Sequence, residues 1–280
     1  MALPPYTSPL ERAWYYSFRI ICALIFIFLI APIVVIVPLS FNSEPYFTYP
    51  MPGYSLRWYE VIFGDSPQSL LWQRSIQNSV IVGAGATALA TALGTLAALG
   101  LNRANFPFKG GVMAVLISPM IVPLVVTAVG MFYFYAQIGL ASTLPGIVLA
   151  HTALGVPFVV ITVTATLAGF DQNLVRAGAI LGAGPMRVFF TVTLPLILPG
   201  VVSGALFAFA TSWDEIVVVL FLASTEQHTI PRRMWSGIRE LINPTITAAA
   251  TMLIGLSVLL MLAMEMLRRR GERLRGVAPT

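Results

Sequence analysis

From Gly110 to Phe170 the chain carries no Asp, Glu, Lys or Arg. Soluble domains place a charge on about one residue in four, so a run of this kind has no face to give to water. As one helix rising about 1.5 Å per residue it would reach on the order of 90 Å, while a bilayer core is crossed by about 20 helical residues. The run therefore holds two crossings. Their boundary is legible between Ala136 and Gly146, where Gln137, Gly139, Ser142, Thr143, Pro145 and Gly146 gather the residues of a turn.

Four further charge-free runs, residues 20 to 43, 75 to 102, 188 to 213 and 241 to 264, complete the pattern. The expectation is an all-α integral membrane protein with six spans, over residues 18–40, 75–101, 112–135, 146–169, 195–222 and 244–267. A membrane β-barrel would alternate polar and apolar residues in segments of about ten, and no such alternation is present. The organisation that follows is an amino-terminal segment over 1–17, a membrane domain over 18–267 and a basic tail over 268–280. Arg12 and Arg19 precede the first run and no small-residue cleavage site follows it, so it is expected to stay as an anchor. The single cysteine, Cys22, lies within that run; it allows no disulfide inside the chain and reads as packing.

The basic residues are spread over loops instead of gathered on one face, which argues against a nucleic-acid partner and for membrane topology. With the amino terminus inside, the inner segments carry Arg12, Arg19, Arg103, Lys109, Arg176, Arg187, Arg268, Arg269, Arg270, Arg273 and Arg275. The outer ones carry only Arg57, Arg74, Arg232, Arg233 and Arg239. This asymmetry predicts both termini in the cytoplasm. Two longer outer loops, 42–74 and 223–243, contain Trp58, Trp72 and Trp235, which fit an aromatic belt at the headgroup level, with ligand stacking as the competing reading. In the second span Ala86, Ala90, Gly94 and Ala98 recur at four-residue spacing on one helix face, a stripe that lets backbones approach closely.

The segment joining the fourth and fifth spans, residues 171–194, is amphipathic and interrupted: Asn173 is placed to cap a short helix, Gly182 to Pro185 breaks it, and Pro195 stands where the next span begins. Here Arg176-Ala177-Gly178 is followed by Gly182-Ala183 and, nine residues after that glycine, by Val192, Thr193, Leu194 and Pro195. In this the chain resembles the permease subunits of bacterial ATP-binding-cassette (ABC) importers of type I, whose signature is Glu-Ala-Ala, three residues, Gly, nine residues and Ile-x-Leu-Pro. Arg176 replaces the usual Glu and reverses a charge, Gly178 replaces the second Ala, and Val192 replaces Ile. The resemblance covers roughly Ser55 to Arg270. Within it, Thr211 to Ala223 and Pro231 to Thr245, which includes Met-Trp-Ser-Gly-Ile-Arg, look like the spermidine/putrescine branch.

The resemblance implies a fold of six spans with a cytoplasmic coupling helix. It assigns ATPase coupling to Arg176, Ala177, Gly178, Gly182, Ala183, Leu194 and Pro195. It also implies a cytoplasmic ATPase dimer, a second and related permease subunit, a periplasmic substrate-binding protein and a location in the bacterial inner membrane. The chain itself is expected to be no enzyme and to hold no cofactor, ATP and Mg being bound by the partner ATPase. In agreement, a phosphate-cradling loop needs a Lys after Gly, and the only lysine, Lys109, follows Phe108. The substrate implied is a small cationic amine, polyamine-like or opine-like, with an amino-acid derivative, iron or thiamine as alternatives.

Asp214 and Glu215 form the acidic pair of the fifth span. A carboxylate at the bilayer centre costs at least about 2.5–3.5 kcal/mol, so such residues face a partner or a watery path. Adjacent helical residues point about 100° apart, which predicts one carboxylate in a substrate pathway and the other against a neighbouring helix, with Asp214 preferred for the pathway. Trp213 beside them offers either a cation-binding face or packing. His151, without an acidic neighbour in its own span, reads as a packing hydrogen bond in preference to a proton relay. A secondary transporter would show internal repeats around a midplane site, and an intramembrane enzyme would need a nucleophile with its base or a metal cluster. The sequence offers neither.

Overall fold

Hydrocarbon has no water to offer a backbone amide, so the charge-free runs must satisfy their own hydrogen bonds as helices. The computed structural model, which describes residues 7–102, 107–240 and 242–274, does this throughout: among them it contains no strand, only one isolated bridge between Asn42 and Tyr54. Arg103, Arg275 and the end of the basic tail expected over 268–280 lie outside the described residues.

Helix α1, Pro9–Leu39, starts at a capping box in which Ser8 Oγ accepts the Glu11 N–H and the Glu11 carboxylate accepts the Ser8 N–H. A short α2, Arg57–Phe63, precedes the long α3, Pro67–Leu101. Then follow α4, Lys109–Ile121, α5, Leu124–Gln137, and α6, Leu144–Ala168. Short helices α7, Asn173–Ile180, and α8, Pro185–Val188, lead through a π-helical turn at Phe189–Thr193 into α9, Leu194–Asp214. The chain ends with α10, Val217–Leu222, α11, Ile230–Glu240, and α12, Pro244–Leu274. Among the described residues five helical stretches are long and apolar enough to cross a membrane, or six if α4 and α5 together make one crossing.

The third predicted span is not one straight helix. Residues 112–135 divide into α4 and α5, bent by 105° at Val122 and Pro123. Pro123 lacks an N–H, and its ring drives the preceding Val122 into an extended conformation, φ −69° and ψ 135°. Pro119 has already removed one bond from α4, and Ser118 Oγ takes up the carbonyl of Val115 that this releases, at 2.8 Å. The fifth predicted span, 195–222, is likewise divided, at Glu215 and Ile216, into α9 and α10.

The core is the contact of α3, α6 and α9. The small-residue stripe of α3 lies in it: Ala86, Ala90, Gly94 and Ala98 are all buried. A Cβ at Gly94 would stand 2.6 Å from that of Val159 on α6. One at Gly155 would meet Ala208 at 3.0 Å and Ala90 at 3.1 Å, and one at Gly204 would fall 2.7 Å from the Val159 backbone. The stripe thus serves neighbours within the same chain. By contrast α1 has no buried residue and leans mainly on α12.

At the end opposite α7, the loops cover the bundle with a cluster of Trp58, Ile62, Trp72, Trp213, Ile230, Ala248 and Ala249. Trp58 and Trp72 are therefore buried and do not form an outward belt, while Trp235 is exposed. Trp58 Nε1 donates to the Asn42 carbonyl at 2.6 Å, and the guanidinium of Arg57 lies over its ring at 4.3 Å. Asn78 and Ser79 of α3 hold the second loop by bonds to the carbonyls of Glu226 and His228 and from the Ile230 N–H. Lipid-facing anchoring failed as a reading here because a tryptophan with its N–H satisfied by backbone is as well served inside a protein cluster as at a headgroup.

The close α3–α6 approach generates a direct expectation. Gly94→Val overpacks the helix pair and destabilises the purified protein by about 1–3 kcal/mol, whereas Gly100→Val, whose Cβ would have nothing within 4 Å, is tolerated. Thermal unfolding midpoints of the two variants in the same detergent provide the check.

Candidate functional site: coupling segment and a divided span

The amphipathic segment 171–194 folds as a capped helix, a turn and a second short helix. Its start differs from the sequence expectation: the Asp171 carboxylate, not Asn173, caps α7, accepting the Asn173 N–H at 2.9 Å, and the amide oxygen of Asn173 faces Arg176 Nη1 at 3.5 Å. A charged acceptor is the stronger partner for the orphan N–H groups at a helix start. The end of α7 is a Schellman motif: Gly182, at φ +80°, donates to the Ala179 carbonyl at 3.0 Å and Ala183 donates to that of Gly178 at 3.1 Å. Only glycine takes this φ without steric cost. Gly178 in turn receives α8, since a Cβ there would lie 3.0 Å from a methyl of the buried Val188.

Arg176 and Ala177 are exposed on α7, and Leu194 and Pro195 form the first turn of α9. The segment ends in uncovered apolar side chains: Ile180 is 85% exposed and Leu181 86%. One continuous path therefore runs from an exposed, partly apolar tip through the π-helical turn into a spanning helix.

The two divided spans meet. A cavity of about 640 Å³ is lined on one side by the α4–α5 break, including Met120, Val122 and Pro123, and on the other by the α9–α10 break, with Asp214 between them and Phe158 of α6 in the wall. A smaller cavity of about 290 Å³ lies between α9 and α12, where Trp213 and Asp214 face Ser257. Asp214 is exposed and borders both. Trp213 is buried, with one face stacked on Phe209 at 5.5 Å; its packing in the loop-end cluster accounts for its position.

Glu215, 6% exposed, also borders the larger cavity, but its carboxylate is taken up within the span. Its carboxylate accepts the N–H of Val218 at 2.9 and 3.0 Å and that of Val219 at 3.3 Å, satisfying the start of α10 from within the span. Nε2 of His151 on α6 stands 3.5 Å from Glu215 Oε2, an electrostatic contact without hydrogen-bond geometry, and Nδ1 of the same ring is 2.8 Å from Ser212 Oγ. His151 thus has acidic company from another span. Sequence reasoning missed it by looking for a partner along α6; the pairing signal was that the fourth and fifth spans each held polar groups with nothing of their own to meet.

Comparison with known proteins bears on this arrangement. The family described as "Binding-protein-dependent transport system inner membrane component" matches residues 90–273. The chain is similar to the spermidine/putrescine transport system permease protein PotC of Haemophilus influenzae, 32% identical over 248 residues that span 89% of this chain and 95% of that protein. It is also similar to the putrescine transport system permease protein PotI of Escherichia coli K12, 33% identical over 85% of each. Its fold is similar to that of a chain in the crystal structure of a bacterial ABC transporter importing alginate, with a TM-score of 0.74 over 94% of this chain and 99% of the other at 14% identity.

The role of Glu215 at the break has a measurable consequence. Glu215→Ala leaves buried N–H groups of α10 unpaired and lowers stability by about 1–3 kcal/mol, while Glu215→Gln, which keeps an acceptor oxygen, loses less. Detergent-solubilised thermal unfolding of both variants reads the difference.

Proposed function

The chain belongs to the family of binding-protein-dependent transport system inner membrane components, and we propose that it imports small cationic amines, of the polyamine kind, as half of a paired substrate channel. It is a non-catalytic permease subunit of an ABC importer, and ATP is hydrolysed by a separate ATPase. The observation that carries the finer reading is the coupling segment. Arg176 to Pro195 keeps the family spacing, and its tip leaves Ile180 and Leu181 uncovered, apolar surface suited to a cleft on the ATPase. Arg176 is exposed there and calls for an acidic counterpart on that partner.

In this reading α7 and α8 lie in the cytoplasm with both termini, as the inner excess of Arg and Lys supports. A periplasmic binding protein delivers substrate at the opposite end, over the loops that hold Trp58 and Trp72. The wholly unburied α1 and the exposed apolar residues of α4 and α5, such as Val115, Ile121 and Val126, give a second permease subunit a surface to join. Closure of the ATPase dimer moves the coupling helix, and the rigid α3–α6–α9 contact carries that movement to the cavity. ATP does so only through its differential affinity for the two states.

The amine reading is supported by Asp214 and by the names of the two relatives. A carboxylate bordering both cavities, with the carbonyl end of α9 beside it, attracts a cation. The surrounding Met120, Leu154 and Phe158 suit an aliphatic spacer.

Affinity purification of the tagged chain from its native membranes, with mass spectrometry of what accompanies it, tests the assembly: an ATPase with a P-loop and a second permease are expected, and a chain that emerges alone from several mild detergents refutes it. Gly182→Trp forces an L-residue into the left-handed conformation at a cost of about 1–2 kcal/mol; uptake is expected to vanish while membrane insertion persists. Asp214→Asn is expected to raise KM for putrescine or spermidine uptake about tenfold or more, on the scale of one lost charge-assisted contact; unchanged KM would remove Asp214 from the pathway.

A further inference from the structure

Two adjacent carboxylates stand at the α9–α10 break, and only one set of orphan N–H groups is there to receive them. Asp and Glu are both good partners for the start of a helix, so whichever carboxylate takes the α10 amides leaves its neighbour to the cavity. In the structure Glu215 holds the N–H groups of Val218 and Val219, and among the described residues the Asp214 carboxylate has no hydrogen bond or ion pair. Both residues border the larger cavity, so a contact elsewhere bears on which carboxylate it receives.

His151 makes it. The ring is 1% exposed and touches the fifth span at two points: Ser212, by Nδ1 at 2.8 Å, and Glu215, by Nε2 at 3.5 Å. Ser212 and Glu215 are three residues apart and so project on one side of the chain at the end of α9. Both are buried against α6, and Asp214 between them faces away. One rigid ring on the well-packed α6 therefore fixes the residues on either side of Asp214 and biases Glu215 toward α10.

We propose that His151 is a positioning residue for the channel: by clasping Ser212 and Glu215 it keeps Glu215 on the amides of α10 and turns position 214 into the cavity. The inference rests on the reading of Asp214 as a pathway carboxylate. It adds a residue on a different span that touches no substrate and yet decides whether that carboxylate is presented.

The test uses the assembled transporter in a Cys22→Ser background, Cys22 being the only native cysteine. The thiol introduced by Asp214→Cys is labelled with a trimethylammonium-bearing methanethiosulfonate, with and without His151→Ala. The same is done for a thiol introduced by Ser257→Cys, which borders the second cavity. His151→Ala is expected to slow labelling at position 214 about tenfold, the scale of a lost buried hydrogen bond or two, and to leave position 257 unchanged; His151→Gln, whose amide reaches toward Glu215, restores the rate at 214. Equal rates at 214 with and without His151→Ala, together with an unchanged KM for putrescine in His151→Ala with Asp214 intact, overturn the proposal. Where His151→Ala does not assemble, His151→Asn, which keeps a polar group at the Nδ1 position and gives up the Glu215 contact, is read by the same criterion. Uptake separates the two readings: with Asp214 intact, His151→Ala raises KM for putrescine while turnover is kept. A labelling change without a KM change upholds the clasp and removes Asp214 from the pathway.

Discussion

Everything in this protein depends on the requirement that a backbone inside hydrocarbon satisfy its own hydrogen bonds. Unbroken helices meet it without help, and most of the chain is built of them. The interesting positions are the two where the chain declines to be an unbroken helix, at Val122–Pro123 and at Glu215–Ile216, because each break releases polar groups that must be met by something else. At the first, Ser118 supplies a hydroxyl for a released carbonyl. At the second a whole carboxylate is spent on the amides of α10. Both breaks border the same cavity, so the polar groups they release stand at or near its wall.

Such breaks hold their geometry only on a stiff support. The α3–α6–α9 core provides it through glycines and alanines that bring backbones together, with Val159 set against Gly94 and Gly204 and with Gly155 set against Ala90 and Ala208. Contacts of this kind have no slack, since a single methyl added at Gly94 would collide. A helix held by such contacts moves with its neighbours and not past them. The π-helical turn at Phe189–Thr193 stands between α8 and the first turn of α9. Wider turns of this type commonly occur at functional positions in helices.

Much of the coupling segment could be read directly. Gly182 and Pro185 announce a stop and a restart, and the structure realises them as a Schellman turn and the first residue of α8. Asp171 was passed over as the cap in favour of Asn173 because both stand within one turn of the start, and a one- or two-residue choice of boundary is the part of a helix that sequence resolves worst. Trp58 and Trp72 were read as lipid anchors because a tryptophan near a span end looks the same whether its partner is a headgroup or another loop. Only the folded loop 42–66 reveals that the Asn42 carbonyl receives Trp58.

The sequence by itself determined that this chain is a bundle of membrane helices, roughly where along the chain they lie, and which face of α3 is packed. These follow from local physics: absence of charge, the helical period, and residues with restricted backbone angles. Tertiary structure alone decided that the third span is bent by 105° and not merely interrupted by proline, that its break faces the one in the fifth span, and that His151 meets Glu215 and Ser212. The last two of those facts concern groups 60 or more residues apart along the chain, as the separation of 61 between His151 and Ser212 illustrates. No local rule couples them; they are brought together by the close packing of α6 on α9, which sets His151 against the end of the fifth span.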